Sequence, residues 1–165
     1  MPRADIDAAH EIYRQLVSES RSLILATTNA DGSPAASTAP FIVDELRRFT
    51  IFTSQLAEHT ANLRRDNRAG VMLIEDEAAT AQLFARQRVT FQCRVEAIPR
   101  DSAEGAALLA RFEERFGKMV GLLKSLPDFQ LFRLQPESGG LVTGFGQAFT
   151  LSGDSFQVIT PRGRG

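Results

Sequence analysis

The segment from Arg86 to Ile98 has the most regular pattern in the chain, an alternation of apolar and polar side chains. The apolar positions are Val89, Phe91, Cys93, Val95 and Ala97, and the polar positions between them are Arg88, Thr90, Gln92, Arg94 and Glu96. Successive side chains of a strand point to opposite faces of a sheet, so the pattern predicts a strand with one buried face. It also assigns Cys93, the single cysteine, to the core rather than to a reactive site.

Further segments predict strands and helices in alternation. The strands lie at residues 22–28, 35–43, 49–54, 70–75, 129–135 and 141–151, with residues 136–140 as a connection and 154–159 read either as one more strand or as loose tail. The helices lie at residues 5–19, from 57 to about 65, at 101–116 and at 119–126, with one or two helical turns at 78–85. Asp31-Gly32 predicts a hairpin between the first two strands, and Pro40 marks an edge or a bulge.

Six or more antiparallel strands with inserted helices predict an α+β fold built on an antiparallel barrel. The chain contains no internal repeat and no linker, so we expect a single domain over residues 1–165. Its N-terminal helix lies within residues 1–20, and residues 154–165 form a flexible tail.

Composition excludes several classes of function. The net charge of −1 argues against a nucleic-acid-binding protein, and no apolar run is long enough to span a membrane. One cysteine and no secretory signal favour the cytoplasm. The two histidines, His10 and His59, stand far apart and no metal-ligand spacing occurs, so no metal site is predicted. Phosphate-loop, Rossmann and nucleophile-elbow motifs are missing, and no catalytic residue is assigned.

The stretch from Arg47 to Leu63 predicts a strand that runs into a helix. We expect Ser54, His59 and Asn62 to lie at the start of that helix, where unpaired backbone N–H groups favour an anion. Other polar side chains lie on strand ends and turns. These further candidates are Ser37, Thr38 and Pro40, Arg86 and Arg88, and the turn Gly144–Gln147. Polar donors with arginines suit a phosphate or a carboxylate, and the alternative is that each is a turn or capping residue.

Several motifs in order give the chain a resemblance to a known family. They are Leu23–Thr27, Asp31–Pro34, Ser37–Phe41, His59–Leu63, Met72–Ala78, Leu83–Phe91, Asp128–Pro136 and Gly144–Ala148. Together they resemble the pyridoxamine-phosphate-oxidase-like, FMN-binding split-barrel superfamily and, within it, the HugZ/HutZ haem-utilisation branch. The resemblance implies an antiparallel split β-barrel with flanking helices, a homodimer, and a ligand held in clefts between subunits.

The resemblance implies FMN for the superfamily and haem for the branch. Glu58 and His59 occupy the positions where flavin-binding relatives carry an Arg-Lys pair for the phosphate, and Asp154–Gly165 offers no histidine for the C-terminal haem ligand of the branch. The resemblance also implies that Asp128 matches an aspartate of the haem-utilisation branch, which supports the ligand or the dimer cleft in that branch. A strict pyridoxamine phosphate oxidase is less expected, since Arg162 and Arg164 are the only C-terminal candidates for its substrate phosphate.

From these points we expect an FMN-binding protein and, if it is an enzyme, a flavin-dependent oxidoreductase. The alternative is a haem-binding or haem-degrading protein, or a haem carrier without activity. The expected cofactor contacts are Ser37, Thr38, Ser54, His59, Asn62, Arg88 and Gln147.

Overall fold

The computed structural model describes residues 3–163 of the chain. Its elements, in chain order, are α1 (Arg3–Glu19), β1 (Ser22–Thr28), β2 (Pro34–Val43), β3 (Phe49–Ser54), α2 (Glu58–Arg65), β4 (Arg68–Ile74), β5 (Arg88–Ile98), α3 (Ala103–Phe116), α4 (Lys118–Lys124), β6 (Phe129–Gly144), β7 (Gln147–Ser152) and β8 (Val158–Pro161). Two short 3-10 turns, Glu77–Ala79 and Leu83–Ala85, lie between β4 and β5.

Six strands close into an antiparallel barrel in the order β3, β2, β1, β4, β5 and β6. Closure comes from the pairing of β3 with β6, which runs from Phe49 opposite Leu134 to Ser54 opposite Phe129. The remaining strands, β7 and β8, extend the sheet beyond β6. The predicted α+β barrel with flanking helices is therefore confirmed.

The barrel interior is filled by the apolar face of each strand, as the alternation in β5 predicts. Phe91 lies 1% exposed at its centre, with ring centroids of Phe49, Phe156 and Tyr13 within 5.4, 5.8 and 6.5 Å. Tyr13 belongs to α1, so the apolar side of that helix packs against the barrel core. Cys93 is buried in the same core, and burial raises the pKa of its thiol to about 12, which confirms a structural cysteine.

A second apolar cluster lies outside the barrel, between the sheet and the α3–α4 pair. Phe52 on β3 contacts Phe112 on α3 and Phe129 on β6 there. Gly117 separates the two helices at a φ of 80°, a backbone conformation that glycine adopts without steric cost. The separation predicted between the helices at 101–116 and 119–126 is thus confirmed.

The connection predicted at residues 136–140 is wrong, because β6 runs without interruption from Phe129 to Gly144. Gln92 pairs with Ser138 while Cys93 pairs with Pro136, which leaves Glu137 as an extra residue. Proline cannot donate to the ladder, and the bulge accommodates it inside the strand. The turn predicted at Gly144–Gln147 is confirmed, and it divides residues 141–151 between the end of β6 and β7.

The C-terminal segment is more ordered than the sequence predicts. Residues after Gly153 turn at Phe156, which is buried, and then form β8 alongside β7. Of the two predictions made for residues 154–159, the structure shows the strand, shifted to Val158–Pro161. Arg164 lies outside the described residues.

The β1–β2 hairpin projects past the end of β3. All of Pro34–Pro40 pairs with β1, whereas pairing with β3 begins only at Phe41. Pro40 thus marks the point where β2 becomes an edge, as its missing donor predicts. Among residues 3–163, no helix is both long and apolar enough to cross a membrane.

Candidate functional site

The centre of the candidate site is a contact between His59 on α2 and Ser37 on β2. His59 Nδ1 lies 2.9 Å from Ser37 Oγ. The projecting hairpin presents Ser37 on its inner face, and α2 packs over that face and supplies His59 in its first turn. Burial of the half-exposed ring lowers the pKa of His59 below its ordinary value of 6.5, so the imidazole is neutral at physiological pH.

Asn62 lies one turn further along α2 and is 4% exposed. Its Nδ2 donates to Thr27 Oγ1 at 3.0 Å and to Asn29 Oδ1 at 2.9 Å, and its Oδ1 accepts from Arg65 Nη2 at 2.7 Å. These bonds tie α2 to β1 and to the hairpin turn. Asn62 therefore has its side-chain hydrogen-bonding groups engaged within the protein, and the alternation and helix patterns did not predict the roles of Thr27, Asn29 and Arg65.

Ser54 is the last residue of β3, and not part of the helix start where we expected it. Its Oγ donates to Asp128 Oδ2 at 2.6 Å and accepts from Leu56 N at 3.1 Å. Thr60 on α2 also donates to the backbone carbonyl of Ser54 at 2.6 Å. Asp128, which precedes β6, thus helps to position the loop that leads to His59.

Thr38 and Arg88 lie on the opposite, outward face of the sheet. Strand pairing links Thr38 to Ile24, Ile24 to Met72 and Met72 to Thr90, and Arg88 is two residues before Thr90. At ordinary strand spacings the backbones of Thr38 and Arg88 are about 15 Å apart, measured across the strands of the sheet. Thr38 Oγ1 donates to Leu23 O at 2.8 Å, and Arg88 Nη1 donates to Arg86 O at 2.8 Å.

Gln147 is exposed in the turn after β6, close to the end of the sheet that carries Arg88. Its Oε1 accepts from Thr143 Oγ1 at 3.1 Å, and Gln87 Nε2 reaches Thr143 O at 3.4 Å. Arg86 is anchored away from this surface, since its guanidinium donates to Glu75 O at 2.9 and 2.6 Å.

The predicted residues therefore form two groups on the single chain. His59, Ser37, Asn62 and Ser54 gather around α2, while Thr38, Arg88 and Gln147 lie on or beside the outward face. Two surface cavities lie outside both groups. One of about 550 Å³ lies between α1 and the β4–β5 connection, and one of about 620 Å³ lies beside Arg65. Chemically, the first group offers a neutral imidazole and the second offers a guanidinium for an anion.

Comparison with known proteins relates this geometry to a family. The model of the family described as pyridoxamine 5'-phosphate oxidase matches residues 9–143. The chain is 44% identical over 136 residues to a Vibrio cholerae protein named Heme oxygenase HutZ, covering 82% of this chain and 77% of that protein.

Solved structures lead to the same group. A structure of HutZ, described as the haem storage protein from Vibrio cholerae, is similar with a TM-score of 0.76 and 38% identity, over 82% of this chain and 94% of that one. Campylobacter jejuni ChuZ gives a TM-score of 0.84 at 25% identity, over 99% of this chain and 64% of that one. A haem-binding protein from Mycobacterium smegmatis shares the fold, with a TM-score of 0.71 at 23% identity over 90% of this chain and 60% of that one.

Proposed function

Because the chain belongs to the HutZ-type family within the pyridoxamine 5'-phosphate oxidase-like superfamily, we propose that its ligand is haem. The names of its relatives favour haem over FMN, which was the first expectation from the sequence. A shared fold alone does not decide between the two ligands, so the proposal depends on the residues that face the site.

The observation that carries the proposal is the state of His59. The ring is neutral because burial lowers its pKa, and neutral imidazole is the form that binds iron. Nδ1 is engaged by Ser37 Oγ, and among the described residues Nε2 has no hydrogen-bond partner. At metal-binding histidines one ring nitrogen usually binds the metal, and a hydrogen bond to the other nitrogen orients the ring.

The donor set of the outward face also suits haem. Arg88 offers a guanidinium for a propionate carboxylate, and Thr38 and Gln147 add neutral polar groups. Bound haem supplies redox chemistry at iron. In this proposal His59, oriented by Ser37, would bind the iron and Arg88 would bind a propionate carboxylate, while Asn62 and Ser54 keep α2 and its preceding loop in position.

FMN fits the same residues less well. Glu58, the first residue of α2, brings a carboxylate to the helix start where a flavin phosphate would lie. Like charges repel, and the neutral ring of His59 does not offset that repulsion. The α2 start therefore favours a ligand without a phosphate.

We further propose that two copies pair through the outward face. Its central positions on β1, β2 and β4 are uncharged and small or apolar (Ala36, Ile24, Ala26, Gly70 and Met72). Ile24 is 38% exposed in the single chain. A contiguous uncharged surface of this kind is typical of the centre of a subunit interface. In the pair, the two groups of candidate residues line clefts at the edge of the interface.

Gel filtration tests the ligand directly. The purified protein is mixed with haemin and, separately, with FMN, and the absorbance of the protein peak is recorded. Haemin that elutes with the protein, with FMN left behind, supports the proposal. Retention of FMN and loss of haemin overturns it. Loss of the Soret band together with release of iron on adding ascorbate and oxygen then identifies a haem-degrading enzyme, whereas a stable spectrum identifies a binding or storage protein.

A further inference from the structure

Arg162 is held against the outward face of the sheet rather than in a free tail. Its backbone N–H donates to Ala148 O at 2.8 Å, which continues the pairing of β8 with β7. Its Nε donates to Thr150 Oγ1 at 3.0 Å. These two bonds fix the backbone and the Nε atom of Arg162. Its two terminal nitrogens, Nη1 and Nη2, have no hydrogen-bond partner among the described residues.

Gly140 makes room for this guanidinium. A Cβ added at residue 140 would lie 2.5 Å from Arg162 Nη2 and 3.4 Å from its Cζ. The φ angle of Gly140 is not in the left-handed range, so the backbone itself does not require glycine there. Because glycine has no Cβ, the guanidinium of Arg162 can lie close to β6 at this position.

The position of Arg162 relates it to Arg88. Gly140 pairs with Thr90, whose Oγ1 lies 3.6 Å from the same added Cβ. Arg88 is two residues from Thr90 on the same face, about 7 Å along the strand. Among residues 3–163, neither arginine forms an ion pair. Two guanidinium groups on one face, without a carboxylate at ion-pair distance among these residues, favour a ligand with two acidic groups.

We propose that Arg162 and Arg88 together bind the two carboxylates of a dianionic ligand, with Gly140 as the residue that lets Arg162 lie flat. The inference rests on the proposed haem-binding function, because haem carries two propionates on one edge. It adds Arg162 and Gly140 to the site and predicts that recognition depends on the carboxylates rather than on the ring alone.

Binding of haemin and of haemin dimethyl ester, which lacks the free carboxylates, tests the proposal. Both affinities are measured by absorbance titration for the wild-type protein, Arg162→Gln and Gly140→Ala. We expect each substitution to weaken haemin binding about tenfold and to leave binding of the ester unchanged. Gly140→Ala is informative because it displaces the guanidinium without removing its charge.

Arg64→Gln is the matched control, since Arg64 is exposed on α2 and forms no hydrogen bond or ion pair with the described residues. An equal loss in the control and Arg162→Gln would overturn the inference. So would equal weakening of haemin and ester, or a change in molar mass by light scattering, because these indicate a structural role. Wild-type protein that binds neither compound rejects the proposed function itself, and the inference with it.

Discussion

Asn62 Nδ2 lies 3.0 Å from Thr27 Oγ1, a bond between residues 35 positions apart that fastens α2 to the β1–β2 hairpin. The same amide contacts Asn29 and Arg65, so one buried side chain joins the helix that carries His59 to the strands that carry Ser37. The geometry of the candidate site therefore depends on a residue whose own polar groups are used inside the protein.

We expect Asn62→Ala to lower the free energy of unfolding by about 2 kcal/mol, because Thr27 and Asn29 lose a buried partner. Urea denaturation measures this change. Asn67→Ala is the matched control, since its side chain is exposed and among the described residues makes no hydrogen bond. A loss no greater than that of the control would show that the network does not stabilise α2.

Arg133 should matter for stability more than the exposed arginines. Its side chain is 10% exposed and pairs with Glu104 on α3 and with Glu96 at 3.7 Å. Arg133→Ala removes the ion pairs and the packing of the aliphatic stem, and we expect a cost of about 3 kcal/mol. Arg94→Ala, whose side chain is 61% exposed in its pair with Glu137, should cost less than about 1 kcal/mol. Chemical denaturation compares the two, and equal costs would contradict the assignment.

The stability of the protein should fall as the pH drops through the range around and below 6.5, partly because of His59. Its pKa is lower in the folded chain than in the unfolded chain, so the unfolded state binds the proton more readily and acid favours unfolding. His59→Gln should reduce the difference in urea midpoint between pH values on either side of that range. His10→Gln is the control. An unchanged difference in His59→Gln would show that His59 is not desolvated.

The proposed pairing of two copies predicts a substitution that separates them. Ile24→Asp places a charge at the centre of the outward face, and we expect the molar mass measured by light scattering to fall from that of a dimer to that of a monomer. Leu122→Asp on α4 is the control, because Leu122 is 60% exposed on another surface. A wild-type protein that is monomeric, or a dimer in Ile24→Asp, would reject the interface.

The barrel could be predicted because its strands carry local signals. Alternation in β5 identifies its buried face, and Pro40 marks the edge where β2 leaves β3. The bulge at Glu137 could not be predicted, since Pro136 read as a break and only pairing with β5 shows that the strand continues.

The site could be predicted only in part. Ser37 and Thr38 are neighbours in sequence, yet they lie on opposite faces of β2, so one contacts His59 and the other lies on the outward face with Arg88. The sequence predicts Asn62 as a cofactor contact at the start of the helix, whereas its burial depends on Thr27 and Asn29, far away in the chain. Arg162 reads as a tail residue because β8 has too few residues to give a periodic signal.

Absorbance titration with haemin and with metal-free protoporphyrin IX tests the central claim that His59 serves a haem site. We expect the wild-type protein to bind both, and His59→Ala to lose affinity for haemin and change its Soret band while binding protoporphyrin IX as before. His10→Ala should match the wild-type protein in both titrations. If His59→Ala binds haemin with unchanged affinity and spectrum, or if the wild-type protein binds FMN and not haemin, the account is contradicted.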